Sequence, residues 1–388
     1  MSRYHSYLNS AVEMLKQYDG SGPFSSFQKR FFSAKKKYGS KDRKEISHLC
    51  YCYFRLGKAA IDLRVEERIL AGLFLCSSGS NDILQNLKAE WNELVEFPLE
   101  KKLLIIDFSL LIPEIFPWND ELSDGIDHEK FCSSFLIQPD LFLRLRPGYE
   151  NIVKEKLSAS AIDFREINPS CLALPNTSKV DDIIELDKEA VVQDYNSQGV
   201  GEFFPPTIDS SPLTVWDCCA GSGGKSIMAY DINPDIELTV SDIRESILSN
   251  LKKRFTKAGI KRYNSFITDL TRTTLNLKPY TFNLILCDAP CSGSGTWNRT
   301  PEQLYFFDEN KIQEYSLLQK KILSNVISQL APGGYLVYIT CSVFKKENED
   351  IVDFLKQEFH LDCIKMELLK GYEIKADSMF VALLRKTL

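Results

Sequence analysis

The stretch Phe282-Asn-Leu-Ile-Leu-Cys-Asp-Ala-Pro-Cys-Ser-Gly-Ser-Gly-Thr-Trp297 decides the fold. Its largely apolar start, Phe282 to Cys287, predicts a short strand buried on both faces, the pattern of a parallel sheet. The run breaks at Asp288. Pro290 has no amide donor, so the sheet ladder is expected to stop there. Ser292-Gly-Ser-Gly295 then supplies a loop able to lie close to a ligand. A carboxylate, Asp288, and a thiol, Cys291, are thereby delivered to the carboxyl end of a core strand. In open α/β sheets that edge is where ligands bind.

A second thiol has the same setting. Gly334-Tyr-Leu-Val-Tyr-Ile-Thr-Cys341 predicts another buried strand ending in Cys341. If both strands belong to one parallel sheet, Cys291 and Cys341 face one cleft. A free cysteine is more often a small core residue. Two cysteines, each just past a strand end and each followed by Ser, weaken that bland reading.

From about residue 197 strands and helices alternate, which indicates an α/β domain with a parallel sheet. Strands are expected at 213–216, 237–241, 264–268, 282–287, 335–340, 363–368 and 379–385. Helices are expected at 245–258 and 347–358. A long helix should present Ile312, Tyr315, Leu318, Ile322, Val326 and Leu330 on one face, ending at Pro332-Gly-Gly. Residues 133–196 read as a small α/β module of ferredoxin-like or RNA-recognition type. Its strands fall at 141–146, 162–167 and 171–174, with a helix at 151–157. Residues 1–132 read as all-helical, with helices over 11–18, 44–56 and 65–76.

The chain has 388 residues, 44% hydrophobic and 26% charged, as a soluble globular protein of two or three domains should. No apolar run approaches a membrane span, and Met1-Ser-Arg-Tyr-His lacks a signal peptide's apolar core, so a cytoplasmic location is expected. The odd count of eleven cysteines then implies reduced thiols. With four histidines, and with Cys50/Cys52 and Cys218/Cys219 at the wrong spacing, no metal is expected. A net charge of −6 argues weakly against a nucleic-acid coat protein but leaves room for a local basic surface. One such surface is Lys29, Arg30, Lys35, Lys36, Lys37, Lys41, Arg43 and Lys44, interleaved with Phe31, Phe32 and Tyr38. Basic groups with aromatics suit a phosphate backbone and bases to stack on. A solvated helix face over packed aromatics explains the same run equally well.

Asp217-Cys-Cys-Ala-Gly-Ser-Gly-Gly-Lys225 follows the first strand of the alternating region and opens a helix. The residues Cys219, Ala220, Gly221, Ser222, Gly223, Gly224 and Lys225 are the candidate cofactor loop. A mononucleotide loop requires Gly where Cys219 stands, and a dinucleotide loop requires Gly or Ala where Ser226 stands. S-adenosylmethionine remains, because its carboxylate needs amide donors but brings no phosphate. Asp242, about 20 residues past the glycines, is placed to hold ribose hydroxyls, with Arg244 beside it. Asp269 ends the next strand and could receive an adenine amino group. Each acid alone is more often a turn residue, but Asp242, Asp269 and Asp288 end three successive strands.

Two thiols imply particular chemistry. Carbon 5 of a pyrimidine is not nucleophilic until a thiolate adds at carbon 6. The resulting enamine takes a methyl group, the carbon-5 proton leaves, and the cysteine is expelled. Asp288 would assist by protonating ring nitrogen 3 or holding the exocyclic amine.

The motifs Asp217–Lys225, Asp288-Ala-Pro-Cys-Ser-Gly-Ser-Gly-Thr296, Thr340-Cys-Ser342 and Val192-Gln-Asp-Tyr-Asn-Ser-Gln198 resemble the Sun/Fmu family of RNA 5-methylcytosine methyltransferases. The resemblance is strong over about 190–388. It implies a Rossmann-like seven-stranded methyltransferase domain at 197–388, preceded by the small module and a helical domain of NusB type. It implies Cys341 as the nucleophile and Cys291 as the thiol that assists product release. Ribosomal RNA is the implied substrate, with transfer RNA second, and the chain is expected to act as a monomer. Gly221-Ser222 replaces the family's usual Ala-Pro, and Asn298 replaces a frequent Arg that would contact RNA. A relic RNA-binding protein, a dinucleotide oxidoreductase and a DNA methyltransferase are the rival readings. Filled catalytic positions, Ser226 and Cys341 respectively speak against them.

Overall fold

The computed structural model describes residues 2–106, 112–205, 213–272 and 281–387. The chain folds into two compact units. The first comprises Met1–Asp120, Ile126–Gln138 and Thr296–Asp308; the second comprises Glu121–Gly125, Pro139–Gly295 and Glu309–Leu388.

The first unit is helical, led by α1 (Arg3–Gln17), α2 (Phe24–Ala34), α3 (Ser40–Arg55) and α4 (Val65–Cys76). α1 starts earlier than its apolar spacing suggests, because the Ser2 side chain accepts from His5 N and caps it. The core of the unit is aromatic. Segment 296–308 contributes to it: Trp297 lies 4.6 Å from Phe307, Tyr305 lies 5.4 Å from Tyr53, and Phe306 lies 5.4 Å from Tyr18. Arg68 is fully buried, its guanidinium 4.2 Å from the Tyr53 ring, with Nη2 donating to Gly57 O at 2.7 Å. Ring faces and carbonyls thus stabilise a cation inside this core.

In the second unit the small module has four antiparallel strands: β1 (Leu141–Leu145), β2 (Arg165–Asn168), β3 (Cys171–Leu174) and β4 (Ala190–Val192), in the order β2-β3-β1-β4. With the helix Glu150–Ala159 this is a split βαβ arrangement, and turns occupy 175–189 where a second helix would stand. β2 begins later than expected because Ile162 N bonds back to Leu157 O and closes the helix. β4 is only three residues long, too short for alternation to reveal.

The large sheet has seven strands. They are β5 (Thr214–Asp217), β6 (Glu237–Asp242), β7 (Tyr263–Ile267), β8 (Phe282–Asp288), β9 (Leu330–Thr340), β10 (Leu361–Leu369) and β11 (Met379–Lys386). Their order is β10-β11-β9-β8-β5-β6-β7, with β11 antiparallel to both neighbours and the other pairings parallel. Apolar clusters cover both faces: Val215, Leu284, Leu286 and Ile339 on one, Trp216, Ile285, Leu336 and Tyr338 on the other. Burial on both faces is why these strands read as continuous apolar runs.

Two expected boundaries are corrected. The long helix, Asn310–Val326, ends before Pro332-Gly-Gly. Leu330 opposes Phe282 as the first residue of β9, and the register shift after Phe282 absorbs the Pro-Gly-Gly irregularity inside that strand. The helix expected from Glu347 begins at Glu349, because Lys345–Glu347 forms a 3₁₀ turn.

From β5 the chain winds outward through β6 and β7, then returns to place β8 and β9 on the other side of β5. The switch point between β5 and β8 opens the crevice in which ligands bind such sheets.

Candidate active site

β8 and β9 are parallel neighbours, with Asp288 opposite Ile339. Their carboxyl ends therefore deliver the two thiols together: Cys291 Sγ lies 3.3 Å from Cys341 Sγ. The loop after Cys291 is pinned beneath Cys341, since Gly295 N donates to Cys341 O at 2.9 Å. Only glycine fits there, because a Cβ at 295 would sit 2.0 Å from Ser378 O. The nearby Cys341 sulfur, followed by burial, pushes the Cys291 thiol well above its usual range. Cys291 thus holds its proton at neutral pH.

Across the switch point, Lys225 Nζ donates to Asp288 Oδ2 at 3.0 Å and to Ser197 Oγ at 2.9 Å. Lys225 therefore orients the Asp288 carboxylate from within the loop. Ser197 belongs to the Val192–Gln198 motif, which gives that motif a physical role.

The glycine loop turns at Gly223, whose φ of +87° caps the helix Gly224–Ile232. A side chain at 223 would meet Phe255 at 2.8 Å, whereas Gly221 and Gly224 face open space. Ser222 is held by Arg254, whose Nη1 donates to Ser222 Oγ at 2.9 Å. The loop lies against the end of β6: Ala220 N donates to Ser241 O, and Gly221 N to Asp242 Oδ2 at 3.0 Å. Arg244 Nε and backbone N both reach Asp242 Oδ1, at 3.0 and 2.9 Å. Burial alone would raise the Asp242 carboxyl; the Arg244 and Gly221 hydrogen bonds outweigh it and hold it below the usual range.

Asp269 sits differently. Its Oδ1 accepts from Thr271 N and Oγ1 at 3.0 and 2.7 Å, and its Oδ2 from Arg272 Nε at 3.2 Å. It is tied into its own turn. Asp217 is fully buried; Ser226 Oγ donates to its Oδ2 at 2.6 Å, while Oδ1 has no hydrogen-bond partner among the described residues. Burial pushes its carboxyl up to about 7. An open glycine cradle, an orphaned buried acceptor beside it and an ionised acid at the next strand end fit a cofactor that carries an amino acid and a ribose.

Glu347 is the residue that sequence reading missed. It is fully buried, and its Oε2 accepts from Ser292 N at 2.9 Å and Gln319 Nε2 at 3.1 Å, its Oε1 from Ser342 Oγ at 2.8 Å. It therefore ties the residue after Cys291 to the residue after Cys341. Asn348 adds to the clamp, accepting from Thr340 Oγ1 and donating to Ser342 O. An acid following Lys345-Lys346 looks solvated in sequence; only its position six residues past Cys341 could have flagged it.

The basic run is part corrected. Phe31, Phe32 and Tyr38 are buried, so they pack the helical unit and offer no stacking platform. Lys29, Arg30, Lys36, Lys37, Lys41, Arg43 and Lys44 are exposed, whereas Lys35 pairs with Glu13. Asn298 is buried, its Nδ2 donating to Ser134 Oγ at 3.1 Å. It fixes segment 296–308 in place and presents no surface to RNA.

A doubly wound sheet with one reversed strand near its edge, a glycine loop after β5 and acids at the following strand ends makes this a Rossmann-like methyltransferase domain. Residues 209–385, somewhat less than half of the chain, match the family model described as 16S rRNA methyltransferase RsmB/F, the Sun/Fmu family that the motifs resemble. The ribosomal RNA small subunit methyltransferase B of Salmonella paratyphi A is 36% identical over 171 residues, 43% of this chain and 38% of the relative. The matched region is thus well under half the length of that relative. The solved structure of PH0851 superposes over 100% of both chains with a TM-score of 0.71 at 19% identity. NSun6 from Pyrococcus horikoshii, solved with SFG, covers 68% of this chain and 94% of its own at a TM-score of 0.58 and 14% identity. Among the described residues no helix is long and apolar enough to cross a membrane.

Proposed function

We propose that this protein transfers a methyl group from S-adenosylmethionine to carbon 5 of a cytosine in RNA, with ribosomal RNA the first candidate substrate. The observation that carries the reading is the 3.3 Å pair of thiols at the ends of β8 and β9, one strand from the glycine loop. The cofactor supplies an electrophilic methyl group when bound. Cys341, as a thiolate after losing its proton to solvent, attacks carbon 6, and Asp288, held by Lys225, orients the nitrogen-3 edge of the base. Once the Cys341 sulfur is bonded to carbon it no longer raises the Cys291 thiol, although burial still does. Cys291 gives up its own thiol proton to solvent; as a thiolate it then accepts the carbon-5 proton, the carbon–sulfur bond at carbon 6 breaks, and Cys341 leaves as thiolate. Transfer of tritium from labelled S-adenosylmethionine to RNA, followed by bisulfite sequencing, tests the activity and finds its position. Label appearing in no RNA would overturn the reading.

Asp242 is assigned to the ribose hydroxyls and the loop amides of Ser222 and Gly224 to the cofactor's carboxylate. Asp242→Ala should weaken cofactor binding by about 1.5–3 kcal/mol, the loss of charge-assisted hydrogen bonds. Calorimetry showing unchanged affinity would remove Asp242 from the site.

The exposed cations of the helical unit are assigned to the RNA backbone. Neutralising Lys36, Lys37, Lys41 and Lys44 together should weaken RNA binding and flatten its salt dependence, each lost phosphate contact reducing the slope by about 0.7–0.9. An unchanged slope would make this a solvated face only.

A further inference from the structure

Three thiols meet at the switch point, separate from the Cys291–Cys341 pair. Cys218 stands one residue past β5, Cys219 follows it, and Cys287 is the penultimate residue of β8. Because β5 and β8 pair in parallel and Cys218 N donates to Leu286 O at 3.0 Å, Cys218 and Cys287 lie side by side. All three Sγ atoms fall within 4.8 Å of one another. Cys218 and Cys287 are fully buried, and Cys219 is half-buried. No histidine or carboxylate joins the group among the described residues. Spacing rules overlook such a set, since strand adjacency and not local sequence brings in its third member.

We propose that Cys218, Cys219 and Cys287 form a binding site for a thiophilic divalent cation of the Zn²⁺ class. Three thiolates supply the ligands, and solvent completes a tetrahedron on the half-buried Cys219 side. Tetrahedral zinc with metal–sulfur bonds of about 2.3 Å sets its sulfurs about 3.8 Å apart, a separation these side chains reach by small torsional changes. Three S–H bonds break and release three protons to solvent, three metal–sulfur bonds form, and no electron is transferred. Thiolate sulfur selects soft and borderline ions over Mg²⁺ or Ca²⁺. An ion here joins the start of the cofactor loop to the strand that ends in Asp288, so its binding stiffens the loop against β8. The proposal does not depend on which molecule is methylated.

The test uses Cd²⁺ as the probe and the full chain carrying Cys291→Ser and Cys341→Ser, which removes the other thiol pair. Under reducing, anaerobic conditions one equivalent of Cd²⁺ should produce sulfur-to-metal charge-transfer absorption, and Zn²⁺ should displace it. Adding Cys287→Val should lower Cd²⁺ affinity at least 100-fold, while Cys363→Ser should change nothing. If Cys287→Val fails to fold, Cys219→Ser at the half-buried position carries the same expectation. Saturating Zn²⁺ should also raise Tm in the parent and not in these variants. Absence of a stoichiometric band, or a band that survives loss of Cys287 or Cys219, would overturn the site.

Discussion

Cys291→Ser is expected to trap the protein on its RNA. The variant still has Cys341 to attack and Asp288 to orient the base, so one methyl group should transfer. Serine cannot accept the carbon-5 proton as a thiolate does, so Cys341 should stay bonded to carbon 6. The product is a protein–RNA adduct that survives denaturing electrophoresis. Cys341→Ser should methylate nothing and form no adduct, a loss of at least about 10⁴-fold in keeping with removal of a covalent nucleophile. The placement of both sulfurs 3.3 Å apart at one sheet edge motivates this asymmetric outcome. The reverse pattern, adduct in Cys341→Ser and none in Cys291→Ser, would move the nucleophile to Cys291 and favour the DNA-type arrangement. Adduct in neither would leave covalent chemistry without support.

The convergence of Asp288, Cys291 and Cys341 is legible in sequence because each lies at or just past the end of an apolar run. In a parallel sheet, strand ends share one edge, so local pattern alone brings them together. The glycine loop and Asp242 are legible for the same reason. What is not legible depends on partners far away in the chain. Trp297, Tyr305 and Phe306 follow the Cys291 loop directly, yet they belong to the aromatic core of the helical unit. Phe31, Phe32 and Tyr38 alternate with lysines as a nucleic-acid surface would, yet the helix packing turns all three inward. Asp269 looks equivalent to Asp242 by position, but Thr271 and Arg272 draw it into a local turn. Cys287 looks like strand filler until β5 is laid beside β8.

Glu347→Ala should cost both stability and rate. Three donors, Ser292 N, Gln319 Nε2 and Ser342 Oγ, converge on its buried carboxylate. Truncation leaves them without that acceptor, a destabilisation of about 2–4 kcal/mol. The two cysteine loops would then no longer be held in register, and a shift of about 1 Å at reacting atoms costs about 100-fold. Glu347→Gln keeps one carbonyl oxygen for Ser292 and Gln319, and its amide can donate to Ser342 Oγ. It should retain most activity, within about tenfold of the parent, on that hydrogen-bond count. Glu347 acts through the loops and touches no substrate, so the loss in Glu347→Ala should fall on kcat and adduct formation, with KM for RNA nearly unchanged. Burial raises the Glu347 carboxyl above the ordinary glutamate range, and the hydrogen bonds only partly offset this. Its folded pKa therefore exceeds its unfolded one. Its contribution to stability is fully present below the unfolded pKa and is lost as pH rises through the folded pKa. Glu347→Gln, which does not titrate, should remove that decline, so denaturant unfolding of parent and variant should diverge as pH increases above about 4.5. Parallel pH profiles, or an equal loss of kcat in both variants, would show that the carboxylate does not clamp the two loops.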